Sequence, residues 1–191
     1  MSGQKAVTPD AQSLVASIQA TKSRGLPPVD QWNPPFCGDL DMRIARDGTW
    51  FYEGSPIGRP GLVKLFSSIL KREEGKYFLV TPVEKVGITV DDAPFVAVDF
   101  DAAGSDQAQT LTFVTHVGDI AVAGPDHHID VVRDPATGEP APYIHIRRDL
   151  WALIDRKSFY RMVDLGTVDG DWFGVWSGGV FFNIIPAEEL P

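Results

Sequence analysis

Hydrophobic and polar residues alternate near residue 40 with the period of a β-strand. Leu40, Met42 and Ile44 are separated by polar or small residues, as expected for a strand with one buried face. Asp47-Gly48, a dipeptide typical of tight hairpin turns, comes next, and Thr49 to Glu53 is the predicted returning strand. The pattern therefore predicts a β-hairpin centred on this turn.

Two segments have the three- and four-residue spacing of helices. In the leading segment, Thr8 is the predicted N-cap and Pro9 the first helical residue, and the apolar stripe ends before Gly25. The second helix opens at Pro60 and is the clearer of the two. Its apolar positions are Leu62, Leu65, Phe66, Ile69 and Leu70.

The remaining elements are predicted to be strands. Over residues 77–115 the turns are too short for crossover helices, which favours an antiparallel meander there over a parallel doubly wound sheet. A turn at Trp176-Ser177-Gly178-Gly179 joins the last two strands. The predicted strands are Tyr77 to Thr81, Lys85 to Val90, Phe95 to Phe100, Thr110 to Thr115, Trp172 to Trp176 and Val180 to Ile185.

An internal repeat suggests two similar halves. Arg59 to Phe66 and Arg147 to Ile154 share the pattern Arg-x-x-Leu-x-x-Leu-apolar, and each is expected to open a helix after a β-hairpin whose first strand ends at Arg-Asp. The alternative is a chance match, because Leu-x-x-Leu is common at helix starts.

The prediction is an α+β fold of two similar halves, each with antiparallel strands and a helix. Residues 1–37 form the leading helix and Pro-rich connector, 38–100 the first repeat and 101–191 the second.

Composition and charge narrow the classes of partner. The 191 residues are 43% hydrophobic and 23% charged, which is a globular composition, and the net charge of −9 disfavours a long nucleic acid or an anionic membrane as partner. Cys37 is the only cysteine, so no internal disulfide can form. Residues 1–20 carry no export signal, and no run of about 18 apolar residues occurs. A cytoplasmic location is therefore expected.

Arg59 gives the best local sign of a binding site. Gly54, Gly58 and Gly61 surround it at a helix start, where free N–H groups and the helix dipole favour anions. A plain turn is the alternative.

If the two halves pack with pseudo-twofold symmetry, Arg59 and Arg147 share a cleft that suits a phosphate and a base. In the opposing interpretation the arginines pair with surface carboxylates and the aromatic residues are core. The stacking surfaces in the cleft would be Trp50, Tyr52 and Tyr143.

Catalytic and metal motifs are weak. The spacing of the four histidines matches neither a zinc helix nor a zinc knuckle, so no metal ligand is assigned and no cofactor is expected. Ser177 resembles a nucleophile, but Val175 takes the place of the first glycine in Gly-x-Ser-x-Gly and a strand follows. The pattern favours a hairpin turn, and no catalytic residue is assigned.

Several ordered segments resemble the bacterial domain-of-unknown-function family 1285, over about Pro34 to Ile185. The resemblance implies a duplicated α+β core with a pleckstrin-homology-like second half, a ligand site between the halves that takes a nucleotide or nucleic acid, and a role in signal transduction without established catalysis. The matching segments are Met42 to Trp50, Gly54 to Arg59, Leu62 to Phe66, Val80 to Lys85, Asp92 to Phe95, Pro142-Tyr143, Arg147 and Trp176 to Gly178.

The function expected from this resemblance is that of a non-enzymatic signalling protein that binds a nucleotide-like anion between its halves. The acidic total favours a small nucleotide over a polymer. Its other expected partner is a signalling protein, and a protein-interaction adaptor without a small ligand is the alternative. The ligand-binding candidates in the matching segments are Arg43, Trp50, Arg59, Lys85, Tyr143, Arg147 and Trp176.

Overall fold

The computed structural model describes residues 9–21 and 24–191. The chain divides into two compact units, Met1–Asp91 and Asp92–Pro191. Among the described residues, none of the helices is both long and apolar enough to cross a membrane.

The first unit is a six-stranded sheet with two helices. Its strands lie in the order β3-β2-β1-β6-β5-β4, and every neighbouring pair is antiparallel except β1 and β6, which are parallel. The elements are α1 (Ala11–Ala20), β1 (Phe36–Ile44), β2 (Trp50–Tyr52), β3 (Ser55–Pro56), α2 (Pro60–Ser68), β4 (Leu70–Glu73), β5 (Lys76–Val80) and β6 (Lys85–Val90).

The start of α1 differs from the prediction. Thr8, the predicted N-cap, lies outside the described residues, and Pro9 precedes the helix. Asp10 is the N-cap, since its extended backbone lets the carboxylate accept the N–H of Ser13 at 2.8 Å. The helix therefore begins two residues later than predicted.

The hairpin and the second helix are confirmed, and together they build the core of the first unit. Ile44 pairs with Trp50 across the Asp47-Gly48 turn, and Pro60 occupies the first turn of α2. The indole of Trp50 stacks on the ring of Phe66 with centroids 6.2 Å apart, and both side chains are buried. The helix thus packs on the sheet through an aromatic pair.

The second unit contains a six-stranded sheet and a separate three-stranded sheet. The larger has the order β10-β11-β12-β7-β8-β9, with β7 and β12 parallel, and the smaller has the order β13-β14-β15. The elements are β7 (Phe95–Ala103), β8 (Thr110–Thr115), β9 (Ile120–Val122), β10 (Ile129–Arg133), β11 (Pro140–Arg147), β12 (Leu150–Ile154), α3 (Arg156–Asp164), β13 (Thr167–Asp169), β14 (Trp172–Ser177) and β15 (Val180–Pro186).

Both six-stranded sheets have the same connectivity. Numbered within its own unit, each sheet runs third-second-first-sixth-fifth-fourth, and its single parallel pair joins the first strand to the sixth. The helix differs in position: α2 follows the third strand of its unit, whereas α3 follows the sixth. β7, which spans the predicted limit at 100/101, lies wholly in the second unit.

The prediction that Arg147 opens a helix is wrong. Arg147 ends strand β11, Arg148 turns the chain with φ of 50°, and β12 follows. Alternate residues of β12 are buried, which is the period of a strand. The helix begins after Asp155, whose carboxylate accepts the N–H of Ser158 at 2.9 Å. The Leu-x-x-Leu match is therefore not a structural repeat.

The pleckstrin-homology likeness of the second half is not confirmed. Within residues 92–191, all of which are described, two separate sheets are present and α3 connects them in the chain. The coarser prediction, an α+β fold of two units with mostly antiparallel sheets, is confirmed.

Truncating Phe66 tests the aromatic pair. Phe66→Ala leaves a cavity under Trp50, so we expect the free energy of unfolding to fall by about 3–5 kcal/mol in urea denaturation. Val83→Ala is the control, because Val83 is 66% exposed and should change stability by less than about 0.5 kcal/mol. Similar losses in the two variants would contradict the described core.

Candidate functional site

The predicted ligand residues are distributed over both units. Arg43, Trp50, Arg59 and Lys85 belong to the first unit, and Tyr143, Arg147 and Trp176 belong to the second. Each set is described within its own unit.

Tyr143 and Arg147 lie on one face of strand β11. Pro142, Ile144 and Ile146 point into the core, so the intervening side chains share the other face and are half-buried. His145 lies between the two predicted residues, and we name the three together, Tyr143, His145 and Arg147, the β11 polar face. Trp151 of the neighbouring strand is paired with His145. The β11 polar face thus has a guanidinium, a hydroxyl and an imidazole, with the indole of Trp151 next to it.

The guanidinium of Arg147 is largely enclosed. It forms an ion pair with Asp119, and its carbon lies 4.9 Å from the ring centroid of Phe95. Only 12% of the side chain is exposed, and this burial lowers the pKa of Arg147 while the nearby Asp119 carboxylate opposes the effect. The group remains charged because a free guanidinium loses its proton only far above neutral pH.

Tyr143 also has a carboxylate partner. Its hydroxyl donates to Asp92, with the two carboxylate oxygens at 2.8 and 3.0 Å. Asp92 comes just before β7, so the contact joins the start of this unit to its fifth strand. In this arrangement two donors of the β11 polar face, from Tyr143 and Arg147, are directed at carboxylates.

His145 lies between two backbone carbonyls and two rings. Its Nδ1 is 3.2 Å from the carbonyl oxygen of Asp126, and Nε2 contacts the carbonyl oxygen of Arg148. The ring stacks on His127 at 5.6 Å and meets Trp151 edge-on at 5.3 Å. A neutral imidazole can donate to only one of these carbonyls at a time. Among the described residues, no group of three His, Cys, Asp or Glu could hold a metal ion.

Trp176 and Ser177 lie at the end of β14, in the smaller sheet. Trp176 packs on Phe181 with ring centroids 5.2 Å apart. Ser177 is fully buried; its hydroxyl donates to the Ala123 carbonyl at 2.7 Å and accepts the Leu111 N–H at 2.8 Å. The predicted hairpin turn is confirmed by the pairing of Ser177 with Val180. The hydroxyl is thus fixed as a structural link and is not presented as a nucleophile.

Trp50 and Arg59 have contrasting environments in the first unit. The Trp50 indole is 1% exposed and lies in the core, so its ring has no face open to a ligand. Arg59 is exposed at the N-cap of α2 and its side chain makes no capping hydrogen bond. Of these two, only Arg59 is presented to solvent.

Arg43 and Lys85 both contact aromatic rings and carboxylates. Arg43 lies 4.8 Å from the ring centroid of Phe51 and 2.6 Å from the Asp91 carboxylate. The ammonium of Lys85 lies 4.6 Å from the Phe78 centroid and 2.8 Å from Glu73. Hydrogen bonds from Lys85, and then from Lys71, lower the pKa of Glu73.

The sequence did not indicate which carboxylates pair with Tyr143 and Arg147, and it offered His145 only as one of four histidines without the spacing of a metal site. Period-two alternation over Pro142 to Arg147 could have identified β11 and placed Tyr143, His145 and Arg147 on one face. No local signal could have identified Asp92 or Asp119, because these partners are 51 and 28 residues away in the chain.

Comparison with known families covers both units. Residues 27–93 match the family described as "Domain of unknown function (DUF1285), N-terminal domain", and residues 94–184 match "Protein of unknown function (DUF1285), C-terminal domain". The chain belongs to the DUF1285 family.

Two solved DUF1285 structures are similar to this chain. The crystal structure of a DUF1285 family protein from Silicibacter pomeroyi DSS-3 is 66% identical, with a TM-score of 0.86, and the match covers 92% of this chain and 96% of that one. A DUF1285 family protein from Shewanella baltica OS155 is 32% identical, with a TM-score of 0.51, over 65% of this chain and 91% of that one. No curated protein matches the chain.

Removing the Lys85 ammonium should raise the pKa of Glu73. In Lys85→Met, loss of the main hydrogen bond moves that pKa back toward its ordinary value of about 4.3. Because the folded-state pKa is lowered, the stabilisation by Glu73 is present above about pH 4.3 and is lost as the pH falls through the lowered value. Carboxyl ¹³C NMR titration measures the change. Lys64→Met, at an exposed position, is the control; an unchanged Glu73 titration in Lys85→Met would contradict the contact.

Ser177→Ala should destabilise the second unit. The variant leaves the Ala123 carbonyl and the Leu111 N–H without their partner, which costs about 1–3 kcal/mol. Ser105→Ala, at an exposed position whose side chain makes no capping bond, should leave the free energy of unfolding nearly unchanged. Equal stability of the two variants in urea denaturation would show that Ser177 is not a structural link.

Proposed function

We propose that this DUF1285 protein is a non-enzymatic signalling protein that binds a small nucleotide-like anion on the β11 polar face. The observation that carries the proposal is the placement of Tyr143, His145 and Arg147 on one side of a single strand, next to Trp151. Guanidinium and hydroxyl donors suit a phosphate, and an indole suits the face of a base.

Binding at this face would be an exchange of anions. Arg147 holds Asp119 and Tyr143 holds Asp92, so an incoming phosphate has to replace carboxylates at these donors. A phosphate dianion offers more acceptor oxygens and more charge than a carboxylate, which favours the exchange. The geometry therefore supports a dianionic phosphate over a monocarboxylate.

The same exchange offers a way to pass on a signal. Asp119 belongs to the turn between β8 and β9, where its N–H bonds the Thr115 hydroxyl at 3.0 Å and its carbonyl accepts the Thr115 N–H at 2.9 Å. Release of its carboxylate by Arg147 would remove the ion pair that ties this turn to β11. Ligand binding and the conformation of the turn are then linked, as signalling requires.

A thermal-shift screen against nucleotides and cyclic dinucleotides tests the proposal. A ligand at 100 times its dissociation constant should stabilise the protein by about 2.7 kcal/mol. Arg147→Gln and Tyr143→Phe should reduce the ligand-dependent shift in Tm, because each removes a donor. Arg156→Gln, at an exposed position on α3, removes the same charge as Arg147→Gln and should keep the full shift.

Three results would contradict the proposal. A full shift in both Arg147→Gln and Tyr143→Phe would exclude the β11 polar face, and loss of the shift in Arg59→Gln alone would assign binding to the start of α2. A flat screen at millimolar ligand would leave the adaptor function. That alternative is favoured by the edge strand β9, where Ile120 is 69% and Val122 is 45% exposed.

A further inference from the structure

A cavity of about 710 Å³ lies on the six-stranded sheet of the first unit. It is lined from β1 by Phe36 and Asp39 and from β5 by Phe78, with Lys85 of β6 and the β4–β5 turn completing the wall. Its size falls in the range of small-molecule sites. No residue of the β11 polar face contributes to it.

The centre of this surface is a glycine within a strand. Gly87 of β6 is paired with Asp39 on one side and with Phe78 on the other. A Cβ added at Gly87 would overlap the Oδ1 atom of Asp39, so the Asp39 carboxylate lies directly over the glycine backbone. A glycine inside a strand often marks a close approach, and here it makes room for a carboxylate at the centre of the sheet.

The aromatic part of the wall is open. Phe36 is 55% exposed and meets Phe78 edge-on, with ring centroids 5.9 Å apart and an interplanar angle of 86°. The ammonium of Lys85 already lies over the Phe78 ring. The Phe36 ring therefore remains as an apolar surface with a negative π-face.

Some charged side chains of the cavity wall form ion pairs and others do not. Glu73 binds the ammonium groups of both Lys71 and Lys85, at 2.9 and 2.8 Å, so Lys85 is engaged and unavailable to an anion. Asp39 and Glu74 make no hydrogen bond or ion pair within residues 9–21 and 24–191, and Lys76 is the one cation of the wall outside the Glu73 cluster. Two open carboxylates against one open ammonium favour a positively charged ligand.

We infer that this cavity binds a small organic cation, whose guanidinium or ammonium group pairs with the Asp39 carboxylate while its carbon chain lies against Phe36. Charge-assisted hydrogen bonds to the carboxylate fix the cationic end. Contact with the phenyl ring adds apolar burial and cation–π attraction. This site differs from the proposed anion site in its unit and in the sign of its ligand, so either can fail without the other.

Titration with agmatine, which carries a guanidinium and an ammonium on a four-carbon chain, tests the inference. We expect saturable changes in ¹H–¹⁵N NMR spectra at Asp39, Gly87 and Phe36. Asp39→Asn should weaken binding at least about tenfold, since it removes a charge-assisted pair of nearly unchanged shape. Asp41→Asn is the matched control: Asp41 is exposed two residues further along β1, and its loss changes the net charge equally.

Two further variants separate the geometry from the charge. Gly87→Ala changes no charge but displaces the Asp39 carboxylate, so it should weaken agmatine binding while the protein remains folded by its NMR spectrum. Phe36→Leu keeps an apolar side chain without the π-face and should weaken binding less than Asp39→Asn does.

The inference is overturned by any of three results. Agmatine could give no saturable change, or Asp39→Asn and Asp41→Asn could weaken its binding equally, which would reduce the effect to general electrostatics. Adenosine monophosphate could produce saturable changes at Asp39 and Gly87 where agmatine does not, which would reverse the sign of the ligand.

Discussion

Each unit depends on one parallel pairing between its first and sixth strands. In both units the first three strands of the large sheet form one antiparallel group and the last three form another. Only the parallel pair joins the two groups into a single six-stranded sheet. The residues at this junction are buried: Ile44 and Val86 lie there in the first unit, and Phe95 and Ile154 in the second. Because these buried side chains belong to both three-stranded groups, the junction is the constraint under which both cores form.

The junction also determines what lies at the centre of each sheet. In the first unit it places Asp39 beside Gly87, which are 48 residues apart in the chain, and this creates the cavity with the open carboxylate. In the second unit β12 occupies the central position and β11 lies next to it, so Tyr143 and Arg147 project from a strand fixed on both sides. The candidate sites are thus built on strands rather than on flexible loops, which favours fixed geometry.

Patterns among neighbouring residues predicted the hairpin and helix α2, but they could not predict which distant strands pair. The Asp47-Gly48 hairpin and helix α2 depend on residues a few positions apart, and both were predicted. Arg147 was assigned to a helix because Leu150 and Leu153 fit a helical spacing, whereas burial of Leu150, Ala152 and Ile154 has period two. The shared face of Tyr143 and Arg147 became visible only once strand β11 was known. The parallel pairing could not be predicted from the sequence, because other strands and a helix or loop lie between the two paired strands in the chain.

Carboxylates neutralise the cations to which an anionic ligand could bind. Three cations in the segments shared with the family each contact a carboxylate of their own unit: Arg43 with Asp91, Lys85 with Glu73 and Arg147 with Asp119. An anionic ligand at such a cation gains only the difference between its own contacts and those of the carboxylate it replaces. At Lys85 the carboxylate partner is shared, because Glu73 also pairs with Lys71. At Arg147 a single carboxylate faces an enclosed guanidinium. Under the proposed function, a chain with a net charge of −9 would select a phosphate at this one enclosed arginine.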